Sequence, residues 1–200
     1  MNFLAHIYLS DNNELIAIGN FMADGVRGKK YQSYSNEIQI GILLHRAIDS
    51  FTDAHPTFRK STKRLHKNYS HYSGVIVDIF YDHFLAKNWK DYSNIPLADY
   101  VEDFYQSLKK HMDILPERYQ YISPIMIEGN WLLSYASING IQSVLNGMNR
   151  RTKGISGMNK ATKELREYYQ DFEEDFKAFF NELLEFSKNK LLELKQLYNL

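Results

Sequence analysis

The sequence predicts an all-α fold, a single-domain helical bundle closed by a long amphipathic C-terminal helix, and three observations carry that reading. Apolar residues recur at three- and four-residue spacing, the period of one face of a helix. Four prolines and ten glycines punctuate those runs. At 200 residues, 44% hydrophobic and 14% aromatic content is enough to bury one substantial core, so residues 1–200 read as one domain.

Taken in order, Ser10 or Asp11 can cap a first helix that carries Leu15, Ile16, Ile18 and Met22 and closes near Gly25 or Gly28. The second helix runs from about Asn36 to Asp53. Pro56 restricts the residue before it, which makes 53–56 a turn, and a third helix follows over about Thr57 to Lys67. From Ser73 to Trp89 the apolar face, with Val75, Ile76, Ile79, Phe80 and Phe84, is broad enough to predict a helix buried on most sides. Pro96 opens a shorter helix through Leu108 to Met112, Pro116 interrupts, and Ile125 to Met148 reads as one helix weakened by Gly129 and Gly140. Gly147, Gly154 and Gly157 mark a loop. Leu165, Tyr169, Phe172, Phe176, Phe179, Leu183 and Phe186 then step by fours and threes along one long helix reaching towards Leu197. Three heptads is the lower limit for a coiled coil, so this stripe reads as core in preference to one.

Composition excludes several kinds of chemistry. Lys plus Arg equals Asp plus Glu, 24 of each, so the net charge does not favour a polyanion such as nucleic acid. Without cysteine there are no thiol nucleophiles, thiolate ligands or disulfides, and any metal needs imidazole and carboxylate. Residues 1–9 lack the basic start and cleavage site of a secretion signal, and no run approaches the roughly 20 apolar residues of a membrane span; the expected location is the cytoplasm and no membrane is expected as partner.

The chemistry-bearing residues stand out because they lie on apolar helices, where an unpaired charge costs several kcal/mol. His45 and Asp49 are four apart and share one helix face, with Asp53 a turn further. Asp78 and Asp82 repeat the device, with His83 beside the second aspartate. Two like charges so close raise one pKa or destabilise the helix unless a cation lies between them. Asn20 and Asp24 form a similar pair, and His6 precedes them in an apolar segment. A sulfur-free set of this kind suits Mn²⁺, Mg²⁺ or Fe²⁺, with Mn²⁺ and Mg²⁺ the better match to an oxygen-rich set. Each residue also has a structural role open to it: a core hydrogen bond for His6, backbone capping for Asp53, an ion pair with Arg46 for Asp49. His55, His66, His71 and His111 read as surface residues.

The same positions carry a family resemblance. Met1-Asn2-Phe3-Leu4-Ala5-His6, Gly19-Asn20-Phe21-Met22-Ala23-Asp24, the run from Gly41 to Asp53, His55-Pro56, Asp78, Tyr81-Asp82-His83-Phe84-Leu85-Ala86 and Trp89 resemble the bacterial acyl carrier protein phosphodiesterases. These strings span about the first 90 residues; beyond them the likeness thins to a helical pattern and the basic Arg150-Arg151. The resemblance implies a helical fold related to the HD-domain phosphohydrolases. It also implies Mn²⁺-dependent release of 4'-phosphopantetheine from holo acyl carrier protein, part of fatty acid and lipid metabolism. Carried over, it points to His6, Asp24, His45, Asp49, Asp78, Asp82 and His83. The His-Asp dipeptide that names the HD superfamily is absent, and the nearest string is the reversed Asp82-His83.

On that basis Asp24, His45, Asp78 and Asp82 are the expected metal ligands, His6 or His83 the proton carrier, and Asp49 the residue that orients His45. The carrier proteins of this family's reaction are acidic, and Arg59, Lys60, Lys63 and Arg64, with Arg27 nearby, offer a basic docking segment. Two rival readings use the same features. One is a phosphohydrolase of a nucleotide or other small phosphodiester, against which stands the lack of a glycine-rich cradle; the other is a noncatalytic module that binds acyl carrier protein. A di-iron carboxylate bundle would require paired Glu-x-x-His motifs, which are missing.

Overall fold

A computed structural model describes residues 1–200 and is wholly helical, with eleven α-helices, short 3-10 turns and no strand. In order they are α1 (Phe3–Tyr8), α2 (Glu14–Met22), α3 (Asn36–Ala54), α4 (Pro56–Tyr69), α5 (Ser73–Lys87) and α6 (Leu97–Lys110). After these come α7 (Glu117–Glu128), α8 (Trp131–Ser134), α9 (Ile138–Arg151), α10 (Thr162–Glu167) and α11 (Tyr169–Leu197). None is long and apolar enough to cross a membrane.

The middle of the bundle is aromatic. Phe172, Phe176, Phe179 and Phe180 of α11 are fully buried with Phe80, Tyr81 and Phe84 of α5, and Phe176 stacks on Phe180 at 5.0 Å between centroids. The stripe read from the sequence is therefore core, and α11 lies against α3, α4 and α5. Asp175 is buried on the same helix and answers its charge with Lys60 at 2.8 Å, Ser61 at 2.9 Å and the guanidinium of Arg64. Helices α2 and α3 form the closest pair. A Cβ on Gly19 would stand 2.3 Å from the Ile38 carbonyl oxygen, and one on Gly41 would stand 2.1 Å from that of Ile16.

Several boundaries differ from the periodicity. The cap of α2 is Asn13, whose side chain accepts from the Ile16 N–H, while Ser10 donates to the His6 carbonyl and Asp11 and Asn12 take left-handed backbone. The segment from 125 to 148 is not one helix. Asn130, at φ 43°, ends α7 beside Gly129, and Ser137 caps α9 by accepting from Gly140 N–H. Helix α7 starts directly after Pro116 and carries Pro124 inside it, and Leu165 belongs to α10 rather than to the long helix. His55 is buried rather than exposed: its Nδ1 accepts from Thr57 N–H to cap α4, and its Nε2 meets Glu182. Arg46 is not the partner of Asp49, since it donates to the carbonyls of Val26 and Gly28.

Candidate active site

Tight packing of α2 on α3 brings Asn20 and Asp24 against His45. The His45 Nδ1 donates to the Asn20 carbonyl at 2.8 Å, which fixes the ring and turns Nε2 outward. That Nε2 lies 3.3 Å from Asp24 Oδ1 and 3.1 Å from Asp49 Oδ2. His6 arrives from α1, stacks on His45 at 3.9 Å between ring centroids, and points its Nε2 at Asp49 Oδ1, 3.2 Å away. Asn20 holds α1 in place by donating to the His6 carbonyl at 2.8 Å. Asp78, from α5, reaches the same place through the N-terminal ammonium of Met1, which lies 2.9 Å from Asp78 and 3.7 Å from Asp49.

Charges follow this geometry. Burial works against protonating His45, but its hydrogen bonds to Asp24 and Asp49 outweigh burial and push it up to about 9. Burial, reinforced by the neighbouring His45 charge, lowers His6 to about 4. Burial also disfavours the Asp49 carboxylate, yet His45 and His6 hold it well below the usual range. The hydrogen bond to His45 lowers Asp24.

Of the expected residues, His6, Asp24, His45, Asp49 and Asp78 come together, and Asp82 and His83 do not join them. Asp82 is fully buried and caps α1, accepting from Leu4 N–H at 2.8 Å and Ala5 N–H at 3.2 Å. Burial, only partly offset by those two donors, pushes it up to about 7. His83 is bound at both ring nitrogens, to the Tyr135 carbonyl at 2.7 Å and the Tyr169 hydroxyl at 2.8 Å. In the expected docking segment, Lys60 and Arg64 are held by Asp175 and Arg59 donates to the Asp53 carbonyl, leaving Lys63 and Arg27 without such ties.

Met1, His6, Asp24, His45 and Asp78 line a cavity of about 880 Å³. Sequence reasoning missed two of the cavity's contributors. The Met1 ammonium leaves no trace in residue spacing, and Arg118, Arg150 and Arg151 line the wall from helices remote in sequence, of which only Arg150-Arg151 had registered.

The residues present fit a divalent cation. One donor atom each from His6, His45 and Asp49 lie within 4.8 Å of one another. The buried His6 Nδ1 has no partner and its Nε2 faces only the Asp49 carboxylate, so the ring has a nitrogen to offer an ion, and the set is imidazole and carboxylate without sulfur.

Fold and site together define an all-helical protein with an imidazole–carboxylate cluster on the wall of an open cavity. A sequence model of the family described as acyl carrier protein phosphodiesterase matches residues 1–183. Proteins named acyl carrier protein phosphodiesterase from Photorhabdus laumondii and Klebsiella pneumoniae are each 32% identical to the chain. The first alignment covers 95% of this chain and 96% of the relative, and the second covers 96% and 100%. The Escherichia coli protein of that name is 30% identical, with the same coverage as the Klebsiella one. The chain belongs to the acyl carrier protein phosphodiesterase family. No solved structure matches it.

Proposed function

We propose that this chain, acting as one domain over residues 1–200, hydrolyses the phosphodiester that joins 4'-phosphopantetheine to a serine of holo acyl carrier protein, giving the apo form. The single observation that carries the chemistry is the meeting of His6, His45 and Asp49 beside a cavity that both histidines line, in a chain of this family. Water attacks phosphorus, the bond from phosphorus to the serine oxygen breaks, and the serine leaves as its alcohol. His6, His45 and Asp49 would hold a Mn²⁺ ion, with Asp24 and Asp78 flanking them. When bound, such an ion supplies Lewis-acid polarisation of a phosphate ester and acidifies water towards neutrality.

The protein's own groups do the positioning. Asn20 sets the His45 ring, and His6 is fixed by its stacking on that ring and by the bond from Asn20 to its carbonyl. Asp24 and Asp78 stand on the cavity wall, where a carboxylate can accept a hydrogen bond from the attacking water. Asp82 and His83 take no part in this reading, since their polar atoms are occupied by α1 and by Tyr135 and Tyr169. We read the fold as an HD-like variant in which residues of α1 and α3 stand in for the missing His-Asp dipeptide. We place the chain in the cytoplasm with its carrier protein, in the setting of fatty acid metabolism.

The test is intact-mass measurement of holo acyl carrier protein incubated with the enzyme, with and without Mn²⁺. Metal-dependent loss of the prosthetic group is expected, and a carrier protein that keeps it under both conditions would refute the reading. Asp49→Asn and His45→Ala are expected to lower kcat/KM by at least about a hundredfold.

A further inference from the structure

The cavity that the imidazole–carboxylate cluster lines carries a second, cationic set of side chains. Arg118, from the first turn of α7, and Arg150 and Arg151, from the last turn of α9, all line it. None of the three has a carboxylate partner, whereas Arg64 and Lys60 converge on Asp175 and Lys87 on Glu173. Their neighbours are neutral: Arg118 lies over the Tyr119 ring, 5.9 Å from its centroid, and Arg151 Nη1 stands 3.6 Å from Met148 Sδ.

The helix dipole accounts for part of this arrangement only. Cations at the C-terminal end of α9 are favoured by its partial negative charge, so Arg150 and Arg151 suit their helix. Arg118 is the second residue of α7, at the positive end of that helix, where a cation is disfavoured. Arginine does not lose its proton in proteins, so the repulsion stays until an anion arrives. Partial desolvation, and then the charge of Arg118, hold Arg151 below the ordinary arginine value, which places these two guanidiniums within each other's field. The same wall also carries the apolar side chains of Val75, Ile79, Ile125 and Val144. A ligand matched to the whole cavity has an anionic phosphate and an uncharged arm.

We propose that Arg118, Arg150 and Arg151 form a phosphate-reading wall that grips the phosphate end of the pantetheine arm, as the diester before hydrolysis and as the released monoester after it. The identity of the arm rests on the hydrolase reading given above, whereas the anion site can be tested without turnover. Guanidinium and phosphate match in bidentate fashion, which distinguishes a phosphorylated arm from its dephosphorylated form. The grip strengthens on hydrolysis, because a diester with one negative charge becomes a monoester carrying about −1.5 to −2 at neutral pH. Free 4'-phosphopantetheine therefore inhibits the enzyme, and the arginines set how strongly.

The experiment is calorimetric titration of the EDTA-treated protein with 4'-phosphopantetheine and with pantetheine, which lacks the phosphate. The wild-type protein is expected to bind the phosphorylated arm at least about tenfold more tightly than pantetheine. Arg118→Ala combined with Arg151→Ala should weaken 4'-phosphopantetheine by on the order of a hundredfold and leave pantetheine unchanged. Arg118→Lys with Arg151→Lys should recover part of that loss, since charge returns without the bidentate fork. Equal affinity of wild type and the alanine double variant for 4'-phosphopantetheine, at matched melting temperature, overturns the proposal. If the alanine variant does not fold, the lysine variant decides: affinity equal to wild type overturns it, and several-fold weaker binding supports it. Turnover of holo acyl carrier protein by the wild type is followed in parallel. Turnover with unchanged variant binding refutes the arginine wall alone, and binding behaviour as expected without turnover refutes the hydrolase reading alone.

Discussion

Asp78 and Asp82 stand one turn apart on α5 and have different occupations. Asp78 faces the Met1 ammonium at the edge of the cluster, while Asp82 is committed to the first N–H groups of α1. Asp82→Ala would strand two buried donors, a loss of about 1–3 kcal/mol for each unsatisfied group. Urea unfolding should show that loss, while bound metal measured on the folded protein stays as in the wild type; a variant with normal stability and no metal would reverse the assignment. The i, i+4 spacing revealed that both acids share a face and need partners. It could not reveal which partners, because Asp82's donors come from residues 4 and 5 and His83's acceptor from residue 135. His45 and Asp49 were legible because the pair is local to one helix. Asn20 was read as an acid-like companion of Asp24, whereas its backbone carbonyl is what holds His45.

Helices α2 and α3 approach so closely because Gly19 and Gly41 present no side chain to each other's backbone. That contact carries Asn20 and Asp24 to His45, so Gly41→Ala is expected to force the pair apart. Overpacking of this kind costs about 1–3 kcal/mol, and kcat/KM should fall together with stability; an alanine variant with wild-type melting and turnover would contradict this account. Helices whose buried face runs unbroken, α3, α5 and α11, were visible in the spacing of apolar residues. The division into α7, α8 and α9 was not, because it depends on Asn130 accepting a left-handed backbone and on Ser137 reaching Gly140 N–H. The tie between α11 and α4 makes a pH prediction. Burial disfavours the Asp175 carboxylate, but Lys60, Arg64 and Ser61 hold its pKa below the ordinary value. A depressed folded pKa contributes stability that is complete above the unfolded value, about 3.9, and is lost as pH falls through the folded value. Asp175→Asn should therefore lower the urea midpoint clearly at pH 7, and the gap to wild type should narrow progressively below about pH 4. A gap of constant size across that range would show that the charge of Asp175 contributes nothing.

At the scale of the whole molecule, the candidate ligands come from helices far apart in the sequence. His6 sits on α1, only six residues long, and His45 and Asp49 on α3, with Asp78 on α5 nearby. An ion held by His6, His45 and Asp49 would cross-link α1 to α3 and neutralise an acid set otherwise answered only by two imidazoles and the Met1 ammonium. The unfolded chain has no such constellation, so binding free energy becomes stability: about 2.7 kcal/mol at a free metal concentration one hundred times Kd. For a protein of this size each kcal/mol moves Tm by about 2–4 °C, so EDTA-treated protein should gain roughly 5–10 °C when Mn²⁺ is restored at that excess. His45→Ala should abolish the gain, because it removes a ligand. Asp82→Asn should melt lower than wild type and still gain the same increment, because its carboxyl serves α1 and not the ion. If wild type and His45→Ala respond equally to Mn²⁺, the ion binds elsewhere, and His6, His45 and Asp49 form a hydrogen-bonded cluster rather than a metal centre.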